Sequence, residues 1–237
     1  MFFGFSPLFW AFMIPCMILG FIAQGLVRSK FNKFSKVHTL RGLTGTQAAR
    51  EILDSFGLYD VRIEESRGGR LSDHYDPRGR VLRLSPEVGR ASSVAAVGVA
   101  AHEAGHAIQH ANSYLPLQVR SSLVPAASLG SGLAPWIVIA GIVLANLVGS
   151  LGIWVAWIGV GLFGLAVLFS LITLPVEFDA SARAKKLLYQ YNIVDRRELS
   201  GVSSVLNAAA LTYIAAALAA LSQLVYYAFM LLGASRD

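Results

Sequence analysis

The chain has 237 residues, of which 55% are hydrophobic and only 14% charged, a balance too apolar for an ordinary water-soluble domain. Its formal charge of +6 is spread along the chain without the aromatic-interleaved basic patch of a nucleic-acid binder, so a lipid bilayer is the expected partner and nucleic acid is not. A single cysteine, Cys16, excludes an intrachain disulfide framework and a thiolate cage, leaving His, Asp and Glu as ligands for any metal.

The first apolar run, about Phe2 to Val27, is long enough to cross a bilayer, for which about 20 residues suffice. No basic residue precedes it and no small-residue cleavage site follows it, so it reads as a retained anchor. Arg28, Lys30, Lys33, Lys36 and Arg41 come next, with His38 among them as a surface residue. Residues 44–56, TGTQAAREILDSF, predict a short amphipathic helix: Thr44 can cap it, Ala48, Ala49, Ile52, Leu53 and Phe56 recur at helical spacing, and Gly57 closes it. YDVRIEES (59–66) and GRVLRLS (79–85) alternate with period two. Within the intervening LSDHYDPRGR, Asp76-Pro77-Arg78-Gly79 suits a type I turn, so a small antiparallel sheet is expected. Residues 80–85 should then offer an edge to an extended peptide. Asp73 and His74 read either as hairpin residues or as groups that orient a metal ligand or touch substrate.

From an N-cap at Ser92 or Ser93, the run SVAAVGVAAHEAGHAIQHA predicts a helix of four or more turns. Gly98 and Gly105 each cost such a helix about 1 kcal/mol against Ala, which calls for a close approach by another backbone or a ligand. Within it, HEAGH places His102 and His106 one turn apart on nearly one face, where two neutral imidazoles can aim at one Zn²⁺. Glu103 points about 100° around the helix, where it can take a proton from a water that the metal polarises. A catalytic zinc has three protein ligands and one open position. His110 lies a further turn along a straight helix, out of reach of an ion held by the first two, and reads as a surface or supporting residue.

The long apolar stretch from Leu133 to Leu174 exceeds one crossing and has Gly149-Ser150-Leu151-Gly152 near its middle, so it reads as a hairpin of two membrane helices. Beyond it, LPVEFDASARAKKLL predicts an amphipathic helix beginning at Pro175, with Ala180, Ala184, Leu187 and Leu188 on its packing face. Glu177, a carboxylate close to the apparent bilayer edge, needs a partner, and a metal would supply one. Asp179 is the rival ligand but reads better as facing elsewhere and hydrogen-bonding a ligand histidine, and capping the helix is Glu177's other reading. A fourth crossing runs from about Val205 to Leu232; its Asn207, Thr212, Tyr213 and Gln223 read as helix-packing residues.

Four crossings put residues 28–132 and 175–204 on one side, so Glu177 shares a compartment with His102 and His106. Every Lys and Arg except Arg236 falls on that side, which makes it the cytoplasm by the positive-inside rule. The expected organisation is an anchor (1–27), a cytoplasmic region carrying HEAGH (28–132), a membrane hairpin (133–174), a cytoplasmic helix with the third ligand (175–204), and a last crossing with its tail (205–237).

TGTQAAREIL, SDHYDPRGRVLRLS, VAAHEAGHAIQH, LPVEFDASARA and VLNAAALTYIAAALAAL together resemble the bacterial membrane-bound neutral zinc metallopeptidases of the YugP group, in the same order over nearly the whole chain. The resemblance implies a mainly α-helical integral membrane protein with four transmembrane helices and a small α+β zincin-like cytoplasmic region. It implies a zinc-dependent peptidase of the cell membrane that acts on polypeptide substrates, with His102, His106 and Glu177 as zinc ligands and Glu103 as catalytic base. More distantly the chain is similar to HtpX-type membrane metalloproteases, which carry Glu-x-x-x-Asp at the third ligand; here Ser181 stands where that Asp would be. A membrane scaffold or chaperone with a structural metal is the alternative function, and a closed site with four protein ligands would favour it. A transporter is disfavoured because the crossings carry almost no ionisable residues. No feature of the sequence specifies an oligomeric state.

Overall fold

The computed structural model describes residues 7–69 and 72–234. The first residues of the expected first crossing, Leu71 before the turn, and Arg236 lie outside the described residues. In chain order the elements are α1 (Pro7–Phe34), α2 (Gly45–Ser55), β1 (Arg62–Glu65), β2 (His74–Asp76), β3 (Val81–Leu84), α3 (Pro86–Gly89), α4 (Val94–Ala111), α5 (Leu115–Val148), α6 (Ser150–Gln190) and α7 (Arg196–Ala234). Among the described residues, α1, α5, α6 and α7 are long and apolar enough to cross a membrane. The expected crossings are therefore the apolar parts of longer helices.

The chain divides into two compact units, one built from Met1–Ile22, Val119–Leu174 and Thr212–Asp237, the other from Ala23–Gln118 and Pro175–Leu211. In the first, α5 and α6 are joined through Gly149, whose φ of 61° only a residue without a Cβ adopts freely. The two helices meet backbone to backbone: a Cβ on Gly141 would lie 2.3 Å from the Ala156 nitrogen. Such small-residue contacts are how helices associate in lipid, where burying Leu against Leu gains little over leaving it among acyl chains. Large apolar side chains such as Phe21, Trp136 and Trp154 remain exposed, as a lipid-facing surface requires.

The second unit is organised around α4. Ser93 caps it by accepting the Ala96 N–H, and almost every position from Val94 to Gln109 is buried. A helix that is apolar all round needs neighbours on every side. They are α2, the sheet, and the parts of α6 and α7 in this unit, which share a core with Ile52, Leu53, Leu82, Leu84, Ile108, Leu188 and Val202. Thr44 caps the start of α2 as expected, and Gln47 reaches back to complete a reciprocal capping box; Gly57 follows the helix end at φ 69°. The start of α4 is tied down from outside: Val94 N–H donates to the Val37 carbonyl, and Thr39 N–H to the carbonyl of Ser92 just before the helix.

The sheet differs from expectation. Its order is β1-β3-β2; β1 and β3 are parallel, and the antiparallel partner of β3 is the short β2. The Asp76 carboxylate accepts the N–H groups of Arg78 and Gly79, and this closes the expected turn, but as a hairpin from β2, a strand too short for alternation to mark, into β3. β3 is buried at Val81, Leu82 and Leu84, the mark of a central strand covered on both faces. Paired on both sides, residues 81–84 have no edge to offer a peptide, contrary to the expectation for 80–85; the edges belong to β1 and β2.

Pro175 also departs from expectation. It lies inside a continuous α6 rather than at a helix start. Its ring removes the bond to the Leu171 carbonyl. In the preceding turns Ser170 and Thr173 donate their hydroxyls to the Ala166 and Phe169 carbonyls, so the helix there already carries side-chain bonds onto its own backbone.

At Gly105 an added Cβ would sit 2.8 Å from the Ala180 carbonyl oxygen, so Gly105→Ala forces α6 off α4. A loss of about 1–3 kcal/mol is expected in thermal unfolding in detergent micelles, larger than the helix-propensity gain of about 1 kcal/mol. The same exchange at Gly132, with nothing within 4 Å, should not destabilise. Equal stability of the Gly105→Ala protein would contradict the close packing.

Candidate metal centre

Two segments build the site. α4 supplies His102, Glu103 and His106; the part of α6 beyond Pro175 runs antiparallel to it and supplies Glu177. Because Gly105 has no side chain, the Ala180 backbone comes close enough for the residues flanking it on the same face, Glu177 and Ser181, to reach the two histidines. His102 Nε2 lies 3.2 Å from Glu177 Oε2, and His106 Nε2 lies 3.6 Å from the same oxygen. One ligand atom from each residue lies within 4.8 Å of the others.

The donor set fits zinc. Two imidazole nitrogens and one carboxylate oxygen are a known catalytic combination, and ligands about 2.0–2.1 Å from a tetrahedral ion stand about 3.3 Å apart. The two His–Glu separations bracket that value. The electrostatics favour a cation as well. Burial alone would lower the His106 pKa, but the facing Glu177 carboxylate, the charge of Glu103 and the bond to Gln109 outweigh it and hold the imidazole above its ordinary value.

Around this trio the structure places residues that the sequence reading gave other roles or none. Gln109 is fully buried, with Oε1 3.0 Å from His106 Nδ1 and its amide nitrogen on the Val176 carbonyl and the Asp179 carboxylate. Asp179 also accepts from Arg183 at 2.5 Å, so the rival ligand is engaged elsewhere and reaches His106 only through Gln109. Ser181 Oγ stands 3.1 Å from His102 Nδ1; the residue in the place of an Asp is the partner of a histidine. The one signal for Gln109 was its position three residues after His106, one helical turn on.

The remaining candidates lie apart from the trio. His110 Nδ1 meets the Tyr75 hydroxyl at 2.9 Å. His74 is exposed, with Nδ1 facing the Ser72 carbonyl. Asp73 accepts both the backbone N–H and the hydroxyl of Ser85. Burial pushes its carboxyl above the ordinary range against those bonds, with the charge of Glu103 adding to the rise. Glu103 itself is 8% exposed.

Comparison with known proteins agrees with this chemistry. A family model described as "Putative neutral zinc metallopeptidase" matches residues 9–232, and the chain belongs to that family. Membership implies zinc, and His102, His106 and Glu177 form the one cluster of metal-binding type among the described residues. The chain is similar to the "Putative membrane protease YugP" of Bacillus subtilis (strain 168), with 46% identity over 227 residues, 95% of this chain and 97% of that protein. No solved structure matches. Together with the four apolar helices, that likeness makes this a multi-pass membrane protein.

Glu177→Gln removes the anion that favours the charged form of His106. In metal-free protein the His106 titration midpoint, followed by NMR of the imidazole, should fall relative to the unsubstituted chain. An unchanged midpoint would show that Glu177 does not face that ring.

Proposed function

We propose that the protein is a zinc-dependent endopeptidase in which His102, His106 and Glu177 hold the ion and Glu103 is the general base. The observation that supports this is the meeting of two imidazoles and one distant carboxylate within 4.8 Å of one another, the carboxylate at 3.2 and 3.6 Å from the two rings, with Glu103 next to the first histidine on the same helix. When bound, zinc would supply Lewis acidity and lower the pKa of a water to about 7.

The other tasks fall to the chain. Glu103 takes a proton from the water as its oxygen bonds to the scissile carbonyl carbon, then delivers it to the amide nitrogen as the C–N bond breaks; the water's second proton passes from the new carboxyl group to the amine, so that the products leave as a carboxylate and an ammonium. Its near-burial limits competing water and strengthens its electrostatic hold on the reacting atoms. The polypeptide would lie along the free edge of β2: this strand packs its Tyr75 against His110 on α4, and the residue before it, Asp73, senses the Glu103 charge. A structural clamp is disfavoured, because the residues a fourth ligand would come from, Asp179 and His74, are engaged with Gln109 and Arg183 and with Ser72.

We assign residues 28–132 and 175–204 to a zincin-like region on the cytoplasmic face of the cell membrane, because all Lys and Arg except Arg236 lie there. Residues 1–27, 133–174 and 205–237 are the anchor, the hairpin and the last crossing.

Purified protein should hold about one zinc per chain. Glu103→Gln should keep that zinc and lose peptide hydrolysis by at least about 10²-fold; a Glu103→Gln protein that still cleaves peptides would contradict the mechanism. For topology, a cysteine placed at the exposed Arg67 in a Cys16→Ser background should react with a membrane-impermeant maleimide only after the cells are opened. Labelling of intact cells would reverse the assigned orientation.

A further inference from the structure

We propose that Gln109 is a positioning residue that selects the tautomer of His106, and this rests on the zinc reading above. The orientation of the Gln109 amide is dictated by its neighbours. One side faces the Val176 carbonyl at 2.8 Å and the Asp179 carboxylate at 2.7 Å. A carbonyl oxygen only accepts, so the NH₂ group must lie on that side. The amide oxygen is therefore the atom 3.0 Å from His106 Nδ1. An oxygen with only lone pairs makes that bond only if Nδ1 carries the proton. In neutral His106 the lone pair is then on Nε2, the nitrogen that faces Glu177.

The selection is rigid. Gln109 is wholly buried, and its acceptor Asp179 is itself held by Arg183, whose guanidinium lies over the Tyr114 ring at 5.8 Å. His102 is held differently. Its Nδ1 meets the Ser181 hydroxyl, which can donate or accept and so follows the tautomer of the ring instead of choosing it. The two histidines thus have unequal support: a fixed acceptor behind His106 and an adaptable hydroxyl behind His102. Metal-binding histidines usually find a carboxylate, a backbone carbonyl or water at the second nitrogen. Here an amide stands between the ring and Asp179, turning a distant carboxylate into a local acceptor without adding a further negative charge to those of Glu177 and Glu103.

Zinc affinity, measured by competition with a chromogenic chelator in micelles, tests this. Gln109→Met, which keeps the length and removes both functions, should weaken zinc binding by about 10- to 100-fold, and Ser181→Ala should weaken it less. Gln109→Met binding zinc within about threefold of the unsubstituted chain would overturn the proposal while leaving the zinc reading intact; failure of the unsubstituted chain to bind zinc would overturn both. Long-range ¹⁵N–¹H NMR of zinc-loaded, unsubstituted protein needs no variant to fold. It should show the His106 proton on Nδ1, shielded from solvent exchange, and a His106 ring with its proton on Nε2 would overturn the proposal.

Discussion

The site depends on one close approach. At Gly105 the backbone of α6 comes to within what would be 2.8 Å of a side-chain carbon, and no other residue type leaves room for it. That contact puts Glu177 over the two imidazoles, Ser181 behind His102, and Val176 and Asp179 against Gln109. A glycine costs a helix about 1 kcal/mol. Here the loss is offset by a contact that joins segments some seventy residues apart in sequence. The Ala-rich character of α4 follows from the same constraint, because small residues let every neighbour approach its axis.

Placing ionisable groups in so apolar an environment has a large desolvation cost, and the arrangement offsets it through a run of paired groups behind the two histidines. Glu177, 3% exposed, has both histidines; His106 has Gln109, Gln109 has Asp179, and Asp179 has Arg183. Among the described residues no fully buried side-chain nitrogen or oxygen lacks a partner. A divalent ion fits this network because it adds positive charge where Glu177 and Glu103 already raise the proton affinity of His106. The chain from Arg183 to His106 also orients the ring, so the residues that neutralise the site are those that aim it.

Much of this could be read from the sequence wherever the rule was local. HEAGH states its geometry through the helical repeat, Thr44 states a helix start as an N-cap residue before the apolar-periodic run, and Glu177 stood out as a carboxylate beside an apolar run. The errors came where a local rule was overridden. Pro175 fits a helix start, yet a helix already under way carried through it. Alternation identified β1 and β3 but could not reveal that the three residues of β2 pair beside β3, which makes the first pair parallel and leaves β3 without an edge. Gln109 escaped notice because its role exists only through the Val176 carbonyl and Asp179, both brought by a remote helix, while Ser181 was visible only as a departure from a pattern.

The central claim is that two imidazoles of α4 and the carboxylate of α6 share one divalent ion with a position left open. X-ray absorption at the zinc edge of the purified, zinc-loaded chain tests it most directly. The account predicts two imidazole nitrogens and oxygen ligands at about 2.0–2.1 Å, with the oxygen contribution altered in Glu177→Ala. A spectrum with only one imidazole, or one that Glu177→Ala leaves unchanged, would contradict it.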